Sequence, residues 1–191
     1  MRPVVVAKVG GSLFDLPDLR DRLLRWISGV EAERILLVPG GGEAADVIRR
    51  LDQVHRLGEE TAHWLAIRMM AVDAHLLASL LGVPVTSGVR QLGAAPTAVV
   101  DAYDFCREDD GEPGAVEHSW RVTSDSIAGR IAAVIGGQLV LLKSIDLPDG
   151  CDWERASSGG LVDEAFPEIV RRHELPVTWV NLRRPQHNSC E

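Results

Sequence analysis

Residues 34–51 read RILLVPGGGEAADVIRRL, and the order of residue types in that stretch decides the fold class. Its first part is apolar without alternation, which suits a strand buried on both faces of a parallel sheet. Gly40, Gly41 and Gly42 then turn the chain, and a helix follows. The same succession stands nearer the N-terminus. Residues 4–9, VVVAKV, form a β-branched run closed by Gly10 and Gly11, and residues 16–27 carry Leu19, Leu23, Leu24 and Ile27 at helical spacings. Two βα units of this kind predict an α/β protein, a three-layer αβα sandwich around a mainly parallel central sheet with right-handed crossovers. With 191 residues, 46% of them hydrophobic, the chain is long enough for one sizeable core, so residues 1–191 are read as a single domain.

Residues 59–81 keep helical spacing throughout, with Leu65, Met69, Val72 and Leu76 on one side. A second apolar side, Ile67, Met70, Ala71 and Ala74, suits either core or contact with another subunit. Residues 101–116, DAYDFCREDDGEPGAV, are polar and turn-rich and are read as an exposed helix end and loop, either a lid or a plain connection. Residues 127–135 are helical, and residues 138–146, QLVLLKSID, form another buried strand whose end carries Lys143 and Asp146. A helix over 162–172 and a last strand, PVTWVN at 176–181, complete the pattern.

Composition excludes several classes. The 20 basic against 28 acidic side chains give a net charge of -8, which repels nucleic acid and anionic membranes, so neither is expected as a partner. Cys106, Cys151 and Cys190 are odd in number and widely spaced, as reduced cytoplasmic thiols are. The apolar run at the N-terminus is too short for a signal peptide and is interrupted by Lys8, so no export is expected. Arg68, Asp73 and His75 argue against a membrane span over 64–85.

In open α/β sheets ligands bind beyond the carboxyl ends of the strands, where glycine turns admit a backbone and helix N-termini offer bare N–H groups to anions. Four segments fall there: Gly10-Gly11-Ser12, Gly40-Gly41-Gly42, the helix start at Thr123-Ser124-Asp125, and Lys143. Together they point to phosphate. No P-loop, dinucleotide-binding or nucleophile-elbow motif is present. Lysine usage sharpens the reading, because Lys8 and Lys143 are the only lysines among the 20 basic residues, and both stand at strand ends. A compact ammonium on a flexible stem can follow a phosphoryl group as it moves between two oxygens, whereas a guanidinium holds a fixed fork.

AKVGGSL, LLVPGGGEAADVIRRLD, VTSDSIAGRIA and LVLLKSID resemble, in order and spacing, the amino acid kinase superfamily, and HWLAIRMM, EHSWRVTSDSI and GLVDEAFPEIV resemble its small kinases of methanofuran biosynthesis and their bacterial relatives. The resemblance implies an amino acid kinase-like fold, ATP as phosphoryl donor, and magnesium carried by the ATP rather than bound by protein ligands. It implies that Lys8 contacts the transferring group, that Asp125 orients Lys8 and Lys143, and that Gly10, Gly11, Ser12, Gly40, Gly41 and Gly42 cradle phosphates. Ser144 and Asp146 are then placed at the nucleotide. It also implies a small-molecule phosphate acceptor and a homodimer or higher homo-oligomer.

Residues 117–126, EHSWRVTSDS, fit that scheme. Ser124 and Ser126 are candidates to cap the helix that begins there. Glu117, His118, Trp120 and Ser124 are candidates for the acceptor pocket, an aromatic ring against the acceptor's furan and an acid against its aminomethyl cation. Two departures from the superfamily stand beside this. SSGGLVDEAF has Asp163 and Glu164 where a late catalytic lysine is common, and KSIDLPDG replaces the usual TD-x-DG. They keep open a superfamily kinase acting on a carboxylate or a nucleoside monophosphate, a nucleotide or oxyanion binder without chemistry, and a regulatory subunit assembling through the helix at 59–81.

Overall fold

The computed structural model describes residues 3–89 and 94–184. Six parallel strands form one sheet in the order β3-β4-β2-β1-β5-β6, namely β1 (Val4–Val9), β2 (Arg34–Pro39), β3 (Val85–Thr86), β4 (Thr97–Val100), β5 (Gln138–Lys143) and β6 (Val177–Asn181). The sheet is parallel throughout, beyond the mainly parallel arrangement expected. From β1 the chain moves first to β2 on one side and later to β5 on the other. The order therefore reverses at β1, and the carboxyl ends of β1, β2 and β5 frame the crevice.

Helices cover both faces. Val5, Ala7, Ile35 and Leu37 pack on α1 (Leu19–Gly29) and the C-terminal half of α3 (Glu59–Leu81). Val6, Leu36, Leu139 and Leu141 point the other way, toward α4 (Ala102–Asp109), α5 (Ser124–Ile135), α6 (Trp153–Ser158) and α7 (Phe166–His173). The helix α2 (Gly42–His55) follows the second glycine turn. Helix α1 begins three residues later than the spacing predicted, because Pro17 disfavours helical backbone at Leu16.

Helix α3 is long and apolar enough to cross a membrane by length and composition alone, yet Ile67, Met70, Ala74 and Leu77 are buried in the protein. Of its two apolar sides, the one with Ile67, Met70 and Ala74 is core. The other carries Val72 and Leu76 into solvent, and α2 likewise exposes Val47, Leu51 and Val54.

Residues 101–116 are more firmly built than their polarity predicted. Asp101 caps α4 by accepting from the N–H groups of Tyr103 and Asp104, and Phe105 and Cys106 enter the core. Buried Asp109 receives Arg130 Nε at 2.7 Å and Nη2 at 2.9 Å, which ties the end of α4 to α5. Cys106 and Cys151 are free thiols, and Cys190 lies outside the described residues.

Candidate active site

Strand alternation sets the site. Side chains two apart share a face, so Val6 and Lys8 on β1, and Leu139, Leu141 and Lys143 on β5, all face α5. The register pairs Lys8 with Leu141, which leaves both ammoniums near the carboxyl edge over the N-terminus of α5. There Asp125 meets them. Its Oδ1 lies 2.9 Å from Lys8 Nζ and its Oδ2 accepts from Lys143 Nζ at 2.8 Å, Lys8 and Asp125 being buried and Lys143 largely so. Lys143 also donates to the carbonyl of Leu161 at 2.6 Å. Burial opposes ionisation of Asp125, but the two ammoniums outweigh it and hold the carboxyl below its ordinary range. For Lys143 burial prevails, aided by the neighbouring charge of Lys8, and its pKa falls to about 8.

The serines do not cap α5. The helix follows Thr123 without a local side-chain cap. Asp163 reaches across to do this, accepting from Thr123 N–H and hydroxyl at 2.9 Å each and from Ser126 N–H at 3.0 Å. The Ser126 hydroxyl donates to Asp163 Oδ1, and Phe166 N–H donates to the same oxygen at 3.1 Å. One carboxylate thus caps α5 and opens α7, at the segment where the superfamily that the sequence resembles commonly carries a late lysine. Burial, then the charge of Asp125, raises the Asp163 pKa.

The two glycine turns pack backbone to backbone. A Cβ on Gly11 would stand 2.5 Å from Gly42, and one on Gly40 2.8 Å from the nitrogen of Gly11. Their N–H groups do not all remain available as expected: Gly10 N–H donates to Leu142 O and Gly40 N–H to Val9 O, each at 2.8 Å. These two glycines extend the sheet bonding and shape the turns. Gly41 and Gly42 open α2, whose first N–H groups have no intrahelical partner. Ser12 Oγ is 2.9 Å from Ser144 Oγ, which links the first turn to the end of β5.

Beside the turns lies a cavity of about 250 Å3. Gly11, Ser12 and Gly40 to Gly42 form its polar edge, joined by Thr123 and Ser124. The opposite wall is apolar, with Ala66, Ile67 and Met70 of α3, and Val122 and Ile127. Trp120 closes one side, donating its indole N–H to Asp52 at 2.8 Å under the guanidinium of Arg49, 4.7 Å from the ring. The lysines do not line this cavity. They meet on Asp125, the residue that follows the cavity-lining Ser124.

Of the candidate acceptor residues, Trp120 and Ser124 reach the cavity, while Glu117 and His118 do not. Glu117 is paired with Ser119 Oγ at 2.7 Å and Arg121 at 3.2 Å and lines a separate cleft with Arg172 and His173. His118 is 3.3 Å from Asp110 and stacks behind His63, ring centroids 5.2 Å apart. Asp146 is ion-paired with Arg184 at 2.7 Å in a cleft bordered by Trp179, apart from Ser144. Sequence reading missed Asp46, Arg49 and His63, which line the cavity from α2 and α3. Their signal was helical spacing, 42, 45, 46 and 49 from the second glycine turn and 63, 66, 67 and 70 along α3.

No protein-family model matches the chain. Over 95% of its length it is 25% identical to [5-(aminomethyl)furan-3-yl]methyl phosphate kinase of Methanocaldococcus jannaschii, 89% of which it covers. Uridylate kinase from Archaeoglobus fulgidus superposes with a TM-score of 0.66 at 17% identity, covering 94% of this chain and 90% of that one. UMP kinase from Bacillus anthracis gives 0.67 at 14% identity, over 96% and 89% of the two chains. The shared fold is the one the resemblance in the sequence implied.

Proposed function

We propose that this chain, a kinase of the amino acid kinase superfamily, transfers the γ-phosphoryl group of ATP to a small phosphomonoester such as [5-(aminomethyl)furan-3-yl]methyl phosphate, making its diphosphate. The observation that carries this reading is the pair of ammoniums held on one buried carboxylate at the same sheet edge as the two closely packed glycine turns. An oxygen of the acceptor phosphate attacks the γ-phosphorus, the bond from that phosphorus to the bridging oxygen breaks, and ADP leaves. An acceptor phosphate has its second pKa near 6 and is already ionised at neutral pH, so no general base is needed. The difficulty is charge. Two unit charges 4 Å apart repel by roughly 4 kcal/mol at an effective dielectric of 20, and Lys8, Lys143 and the α2 N-terminus offset such terms where the reaction needs it.

In this reading Lys8 and Lys143 hold the transferring group, Asp125 positions both, and Gly11, Gly41 and Gly42 hold phosphate through the backbone. Magnesium, in the same reading, arrives on the ATP and neutralises phosphate charge there. The reading places the enzyme in the cytoplasm, in methanofuran-type cofactor synthesis and one-carbon metabolism. The exposed apolar side of α2 and α3 supports a homodimer or higher homo-oligomer.

Phosphorus NMR with ATP, magnesium and the furan phosphate tests it. New diphosphate resonances alongside ADP are the expected result. ADP formation only with a carboxylate or a nucleoside monophosphate would move the acceptor class. ATP binding without transfer to any acceptor would favour the binder reading, which the substitution of Asp163 for a late lysine supports.

A further inference from the structure

We propose that His63 is the specificity residue of the acceptor cavity, and that its Nε2 accepts a hydrogen bond from an N–H or O–H group carried by the phosphorylated substrate. The inference rests on the kinase reading above for its substrate and adds a recognition group that reading does not contain.

His63 is 3% exposed and lines the cavity from α3. Its Nδ1 lies 3.3 Å from the carbonyl of Ser119, which requires the proton on Nδ1. The neutral ring then presents Nε2 as an acceptor. That atom is buried with no partner in the protein, an arrangement proteins avoid unless something else supplies the donor. Burial lowers the His63 pKa, which keeps the ring in this form at neutral pH.

The helix supplies a ruler. His63, Ala66, Ile67 and Met70 lie on one face of α3, and Met70 Cγ is 3.4 Å from where a Cβ on Gly41 would stand. Met70 therefore marks the phosphate end. Seven residues at 1.5 Å each place His63 about 10 Å further along. Between the two ends the wall is apolar. A ligand matching this wall has a phosphate at one end, a small flat apolar body, and a hydrogen-bond donor at the other. The cavity, at about 250 Å3, lies below the roughly 300–1,000 Å3 of sites that take drug-sized ligands. A single five-membered ring with one-carbon arms bearing phosphate and amine has the required length and polarity. The stack of His118 on His63, and the edge contact of Trp64 with both rings, fix the imidazole plane.

The test compares two esters, [5-(aminomethyl)furan-3-yl]methyl phosphate and its analogue with methyl in place of aminomethyl, by turnover with ATP and by equilibrium binding. The native protein is expected to favour the amine by at least about tenfold, since a site built around a hydrogen bond rejects the ligand lacking it. In His63→Phe, which keeps the ring stack and removes the acceptor, that ratio should fall toward one. His63→Gln, which returns a carbonyl acceptor, should restore part of it. If His63→Phe fails to fold, His63→Leu replaces it in the comparison. An equal loss for both esters, or an unchanged ratio in the variant, would show a structural residue and overturn the inference. Turnover of both esters at equal rates in the native protein overturns it while leaving the kinase reading in place. Binding that favours the amine and depends on His63, without turnover, sustains it and removes the kinase reading. Neither binding nor turnover of either ester overturns it and moves the kinase reading to another acceptor class.

Discussion

Lys8 and Lys143, from neighbouring parallel strands, are held on the two oxygens of a single carboxylate, with Nζ to oxygen distances of 2.9 and 2.8 Å to Asp125. Two like charges are thereby kept together at the edge of the sheet where phosphate is expected. Removing the carboxylate leaves both buried ammoniums facing each other. Asp125→Asn should therefore lower stability by about 3–5 kcal/mol, the range for breaking a buried ion pair, and abolish turnover. Lys8→Ala should fold and lose turnover by ~100-fold or more, as loss of a charge-stabilising donor does. Denaturant melts and initial rates check both, and a Lys8→Ala enzyme with native turnover would remove Lys8 from the site.

The lowered pKa of Lys143 predicts a pH limb. The residue is a cation whose pKa is depressed to about 8, so its charged form is complete well below that pH and is lost as pH rises through it. Accordingly kcat/KM, which reports the free enzyme, should fall above pH about 8. In Lys143→Arg the charge persists at all accessible pH, so the limb should disappear while the maximal rate drops. A native profile still rising at pH 9 would contradict this.

Asp163 should behave as a cap rather than as a catalytic group. Asp163→Ala leaves the starts of α5 and α7 without their acceptor, at about 0.5–2 kcal/mol for a lost cap. In a chain of this size that corresponds to a fall in Tm of a few degrees. Calorimetry reads it directly, and an unchanged Tm would show that the cap is dispensable.

Gly11→Ala should fail, because its methyl group would stand 2.5 Å from the backbone of Gly42. Loss of phosphate-ester binding by calorimetric titration is the expected readout. Gly29→Ala, with nothing within 4 Å of the new carbon, is the control and should bind as the native protein does.

The exposed apolar side of α3 is testable as an assembly surface. Leu76→Glu, at a residue 48% exposed, should convert an oligomer to monomer in sedimentation equilibrium. A native protein that already sediments as a monomer would exclude assembly through this face.

Much of this was legible in the chain. Uninterrupted apolar runs ending in glycine can be little else than strands buried between helices, so the parallel sheet and both glycine turns followed from residues 4–11 and 34–42 alone. The scarcity of lysine singled out Lys8 and Lys143 before any geometry was known. What the sequence by itself determined was therefore local: element type, the turns, and which rare side chains sit at strand ends. Only tertiary structure decided which apolar side of α3 is core, because residues recur at helical spacing on both sides and periodicity cannot rank two such faces. It alone brought Asp163 to the start of α5 and set His63 against the cavity with an unpartnered nitrogen. Each of these depends on a partner distant in sequence, chosen by packing of whole elements, and no local pattern records that choice.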